Sequence, residues 1–119
     1  MHRTATPGRP QTNAIAERAV RTVLEGSRVL LLHAGLPHIF WPYAARAFCM
    51  CRNTSRETGD SPWKLRHGRE FQGKRIPFGA LVHFHLAPDR APPSKFSPRG
   101  TLCVFLGYFP QPGGLWKGE

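Results

Sequence analysis

Pro10-Gln11-Thr12-Asn13-Ala14-Ile15-Ala16-Glu17-Arg18 marks the place where a loop gives way to a long helix. Proline and the polar residues before it resist helix, whereas Asn13 is a favoured N-cap. From Ala14 to about His33 the spacing predicts a helix. Ala16, Val20, Val23, Ser27, Leu30, Leu31 and Ala34 recur three and four residues apart and form one stripe. Gly35 suits the C-cap, and Pro37 follows shortly after it. Val29 and Leu32 lie off the stripe, so the helix is apolar on more than one face and calls for partners on more than one side. Upstream, residues 1–12 read as a loop rich in Pro, Gly, Thr and Arg.

A second helix is expected where Phe40, Tyr43, Ala44, Ala47, Phe48 and Cys51 repeat at helical spacing, with Pro42 tolerated in its first turn. The short link predicts an antiparallel helical hairpin. Ser61-Pro62-Trp63-Lys64-Leu65 reads as a capped short helix ending near Gly68. After Gly73 the period changes to two. Ala80, Val82, Phe84 and Leu86 alternate with Leu81, His83, His85 and Ala87, as a strand would. Residues 101–109 read as a second strand, and Leu115-Trp116-Lys117 as the start of a third. The expected class is α+β, with helices first and strands after.

Charge narrows the function classes. The chain has 119 residues, with 17 Lys+Arg against 7 Asp+Glu and a formal net charge of +10. A basic field of that size favours polyanions, nucleic acid first among them. No apolar run approaches the roughly 20 residues needed to span a bilayer, and no apolar core follows the charges near Met1 as a secretory signal requires. The N-terminus reads as an arbitrary start. The cysteines, Cys49, Cys51 and Cys103, are odd in number and lack zinc-ligand spacing, which suits a reducing compartment. His83 and His85 share a strand face without a third ligand and read as exposed side chains.

The stretch around Glu17 closely resembles the signature that carries the last catalytic acid of integrases from copia-type retrotransposons. Pro10, Gln11, Asn13, Ala16, Glu17 and Arg18 match it, and Val23, Leu24 and Glu25 continue the match. Leu31-Leu32-His33-Ala34-Gly35-Leu36-Pro37 and then Phe40-Trp41 resemble a further block of the family. So do Asn53, Ser61-Pro62 and Gly68, then Phe78-Gly79, and finally Pro98-Arg99-Gly100, Cys103 and Phe105-Leu106-Gly107-Tyr108. The blocks run in the family's order through nearly the whole chain. Two departures are Ala14, where the family commonly has glycine, and Pro77 before Phe78.

The resemblance implies a helical hairpin from the end of a ribonuclease-H-like integrase core, residues 13–70. It implies part of a Src-homology-three-like β-barrel in residues 71–119. It also implies an ancestral role in DNA integration, by phosphoryl transfer assisted by Mg²⁺ or Mn²⁺. Glu17 corresponds to the glutamate of the acid triad and so to a metal ligand. The two triad aspartates are expected upstream of Met1, and Asp60 and Asp89 come too late in the chain to replace them. A two-metal site needs several converging carboxylates, so the fragment alone is expected to be catalytically incomplete and to bind no metal.

By the residues alone, Glu17 reads first as a first-turn acid favoured by the helix dipole and paired with Arg21. Gln11, Asn13, Arg18, Arg21 and Arg28 are candidate nucleic-acid contacts. Arg21 and Arg28 could as well lie on a solvated face. DNA is the expected partner, together with other integrase segments or a second copy, and no membrane. The nucleus is the expected location by resemblance, with the cytoplasm otherwise and secretion excluded. Two other classes stay open. One is a non-catalytic basic nucleic-acid-binding protein, and the other a helical assembly fragment that associates through exposed apolar faces.

Overall fold

A computed structural model describes residue 7, residues 13–85, residues 87 and 89, and residues 94–111. Gln11, most of the expected N-terminal loop, most of the 88–93 loop and the expected third strand lie outside the described residues. The elements run α1 (Ala14–Ala34), a 3-10 turn (His38–Phe40), α2 (Trp41–Thr54), α3 (Pro62–His67), β1 (Leu81–His85) and β2 (Gly100–Val104). The class is mixed α+β.

The end of α1 follows from Gly35, which adopts a left-handed φ of 65°. Its N–H donates to the Leu32 carbonyl, and the Leu36 N–H donates to the Leu31 carbonyl at 3.1 Å. This pair of bonds is a Schellman motif, and it satisfies carbonyls the helix leaves free. The start of α1 differs from expectation. Asn13 occupies the N-cap position, but with φ −104° and ψ −4° it makes no side-chain capping bond. Its near-helical backbone carries the side chain along the helix flank, where the amide donates to Glu17 Oε1 at 3.3 Å.

The two long helices form the expected antiparallel hairpin. A Cβ at Gly26 would run into the Phe48 ring, while nearer the turn Leu31 joins Ala44 and Ala47 in one cluster. Alanines at the crossing let the backbones approach, and Ala44 is fully buried. Phe78 completes this core, with Leu30, Ala34, Leu36, Phe40 and Leu106 packed around it. The expected stripe is therefore covered only over its C-terminal two-thirds. Ser27 and Leu31 are buried, but Ala16 and Val20 are exposed, because α2 packs on the later turns of α1.

α3 is capped as expected. Ser61 Oγ accepts from the Lys64 N–H at 3.2 Å, Pro62 opens the helix, and Gly68 closes it at φ 73°. β1 and β2 pair antiparallel, with Leu81 opposite Val104 and His85 opposite Gly100. β2 is shorter than the sequence predicts, ending at Val104 rather than near 109. Phe105 still exchanges hydrogen bonds with Gly79 and Ala80, both at 2.8 Å. Gly107 then turns the chain at φ 117°, so Leu106 packs on the helical core instead of extending the sheet.

Candidate nucleic-acid interface on the first helix

α1 displays a polar strip beside its apolar stripe. Asn13, Ala16, Glu17, Val20, Arg21, Leu24, Glu25 and Arg28 line one shallow concavity along the helix. All eight fall at three- and four-residue steps, which is what brings them to one side. Asn13, Glu17, Arg21 and Arg28 are thus brought together, as their spacing predicts. Arg18 is exposed but lies about 100° around the helix from Glu17, on the flank of the strip. Gln11 lies outside the described residues.

Glu17 is exposed, and its hydrogen-bond partner is the Asn13 amide. Arg21, expected to pair with Glu17, instead faces Glu25, with Nε 3.9 Å from Oε1 and both side chains largely exposed. Arg21 stands four residues from each acid, so the helix offers it both, and Glu25 takes it. So open an ion pair contributes at most a few tenths of a kcal/mol. Its consequence is electrostatic: Arg21 and Glu25 neutralise each other locally. Among the described residues, neither Glu17 nor Arg28 has an opposite charge within ion-pair range.

The remaining acids lie elsewhere. Asp60 accepts from Lys64 Nζ at 2.7 Å and lies 3.6 Å from Arg56 Nη2. The Lys64 hydrogen bond, helped by the two positive charges, holds the Asp60 carboxyl below its usual value of 3.8. Asp89 is exposed. Among the described residues no three of His, Cys, Asp and Glu come together in a way that could hold a metal ion, and no helix there is long and apolar enough to cross a membrane.

Two groupings escaped the sequence reading. Glu70 Oε2 accepts from the Ser61 hydroxyl at 2.8 Å, while its Oε1 is shut away from solvent without a hydrogen bond and 3.8 Å from Arg56 Nε. The Ser61 cap was legible from Ser-Pro, but its tie to a residue nine positions on was not. The second grouping is a run of edge-to-face rings. Trp63 meets Phe71 at 5.3 Å, Phe71 meets Tyr108 at 5.5 Å, and Tyr108 meets Phe105 at 5.2 Å. The Tyr108 hydroxyl donates to the Lys74 carbonyl and accepts from the Ile76 N–H at 3.0 Å. These contacts fasten the segment after β2 to the chain between α3 and β1.

A mixed α+β chain that sets two acids and three arginines on one long helix finds its counterparts among transposon proteins. It is 30% identical, over 97% of its length, to the retrovirus-related Pol polyprotein from transposon TNT 1-94 of Nicotiana tabacum. It is 31% and 29% identical, over 90% of its length in each case, to the corresponding polyproteins from transposons RE1 and RE2 of Arabidopsis thaliana. The chain spans only 9%, 7% and 8% of those three relatives. It is therefore homologous to a short stretch of the retrovirus-related Pol polyproteins of copia-type plant transposons. No protein-family model matches the chain, and no solved structure matches it.

Proposed function

We propose that this chain is the part of a retrotransposon integrase that carries the last acid of a metal-dependent DNA-joining site. Residues 13–70 are the closing helices of a ribonuclease-H-like core, and residues 71–119 part of a small Src-homology-three-like barrel. The similarity to Pol polyproteins through nearly the whole chain carries the reading. Glu17 supports it by standing in the first turn of α1, exposed and beside arginines rather than consumed by an ion pair.

In this reading Glu17 donates a carboxylate oxygen to Mg²⁺ or Mn²⁺, hard cations that take oxygen ligands. Arg21 and Arg28 contact DNA phosphates along the strip and Arg18 beside it, with Gln11 and Asn13 as further contacts. In the intact site such cations would supply charge stabilisation for phosphoryl transfer, with Glu17 as one of the carboxylates that would hold them. The aspartates that complete the site come from another segment, so these 119 residues bind DNA without joining it. DNA and other integrase segments are the partners, and the nucleus is the site of action.

The test uses the full chain with a labelled duplex end and either cation. DNA retention is expected, weakening as salt rises, with no strand transfer. Fused after the preceding segment of the tobacco polyprotein, the chain is expected to support strand transfer that Glu17→Gln abolishes. Transfer by the chain alone, lost on Glu17→Gln, overturns the claim of incompleteness. Unchanged transfer in the fused Glu17→Gln variant overturns the role of Glu17.

A further inference from the structure

Between α3 and β1, residues 68–80 form neither helix nor strand. Gly73, Lys74, Arg75, Pro77 and Gly79 give this stretch the composition of a flexible link. Such a link would let the β1–β2 ribbon swing against the helical hairpin, the ordinary expectation for units joined by few contacts. Among the described elements the two strands pack only on each other. Whatever orients the ribbon is therefore found in the segments at its base.

Those segments are seated on the hairpin from both sides of the ribbon. On the entering side, Arg75 Nη2 donates to the Thr54 carbonyl at 2.6 Å. Thr54 closes α2, where carbonyls lack helical partners and the dipole favours a cation. Phe78 is buried with Leu31, Ala44 and Ala47, and Gly79 lies against Ala34. On the leaving side, Leu106 packs on the same cluster. Gly107 passes Ala47 so closely that an added Cβ would stand 3.6 Å from the alanine Cβ. The Arg46 guanidinium lies 5.6 Å from the centre of the Phe109 ring, within cation–π range. Hydrogen bonds from Phe105 to Ala80 and from Gly79 to Phe105 tie the two sides together. One seated segment leaves the ribbon free to rotate about it, whereas two bonded side by side remove that rotation. A hinge absorbs large backbone changes at a few residues. Here Pro77 and Gly79 cannot change without drawing Phe78 from the core.

We propose that residues 75–80 and 105–109, fastened by Arg75 and Phe78, form a rigid joint that holds the ribbon in one orientation on the hairpin that carries Glu17. The joint rests on contacts within the chain and is independent of the integrase reading. For that reading it has a consequence. Any DNA contact made from the ribbon stands at a constant offset from Glu17, so both serve one DNA path without rearrangement.

Double electron–electron resonance on the full chain tests this. With the native cysteines replaced by serine, spin labels at Val29→Cys and Thr101→Cys span from α1 to the ribbon. A control pair, Val29→Cys with the native Cys49, lies within the hairpin, with only Cys51 and Cys103 replaced. Dilution with unlabelled chain restricts the signal to distances within one molecule. One narrow distance is expected for the ribbon pair, as sharp as for the control. Arg75→Ala is expected to lose that single distance and leave the control unchanged, while circular dichroism shows the same helix content. A broad ribbon distance beside a sharp control, before any change at Arg75, overturns the joint and makes residues 68–80 a hinge. Breadth in both pairs overturns it too, because the hairpin then gives no fixed seat. A ribbon distance that stays sharp in Arg75→Ala overturns the part given to Arg75. No DNA or metal enters the measurement, so the integrase reading stands or falls separately.

Discussion

Gly79 shows how one residue answers two demands at once. Its φ of 82° is one that side chains rarely adopt, and its α-carbon lies where a Cβ would be 3.2 Å from Ala34 Cα and closer still to Ala34 Cβ. The turn must bend sharply and must also lie against the end of α1 so that Phe78 reaches the core. Gly68 shares only the first demand, with a φ of 73° and open space around it. Gly68→Ala is therefore expected to cost about 1 kcal/mol from backbone strain alone. Gly79→Ala should cost about 2–4 kcal/mol, because overpacking adds to strain. Thermal melts followed by circular dichroism compare the two, and equal losses would deny the Ala34 contact its part.

Among the elements, α3 and the sheet are too small to stand unaided. A six-residue helix lies far below the roughly 12–15 residues at which isolated helices become even marginal, and a two-stranded sheet is itself marginal in water. Contacts from elsewhere hold them. Ser61 caps α3 and reaches Glu70, and Tyr108 ties the strand exit to Lys74 and Ile76. Tyr108→Phe keeps the ring contacts with Phe71 and Phe105 but removes the hydroxyl from two backbone groups. A loss of about 1–3 kcal/mol is expected, with faster amide exchange at Ile76 and little change within α1. Uniform acceleration across α1 as well would mean that the hairpin and the aromatic run do not separate as units.

At the scale of the molecule, burial is sparse. Leu31, Ala44, Ala47 and Phe78 are the buried apolar residues among those described, while Ile15, Leu32, Ile39, Trp41 and Phe96 are large and exposed. The denaturant slope of unfolding scales with the area newly exposed. A urea slope below the usual range of about 1–3 kcal/mol/M is expected. A slope ordinary for a chain of this length, measured at low concentration, would contradict so small a core.

The elements themselves were largely legible because their signals are local. Asn13, Gly35, Ser61 and Gly68 mark ends through the conformations those residue types prefer, and apolar spacing of three and four drew both long helices and their hairpin. The period-two run around Val82 drew β1. Local signals also brought Glu17, Arg21 and Arg28 to one side of α1, since periodicity alone decides which residues share a face.

What they could not decide depends on residues far apart in the chain. The apolar run after Cys103 has the composition of a long strand. It stops at Val104 because Gly107 turns it and Leu106 gains more by burial on α2 than by continued pairing. Asn13 sits where a cap belongs, yet its backbone conformation sends the amide to Glu17, and Arg21 turns to Glu25. The Tyr108 bonds span more than thirty positions, and Glu70 meets Ser61 across nine. Periodicity and caps are properties of a few consecutive residues, so the sequence alone determined the elements and the face that carries Glu17. Burial and long-range pairing depend on which elements meet, so only the tertiary structure decided which part of the apolar stripe is covered and which charges stay unpaired.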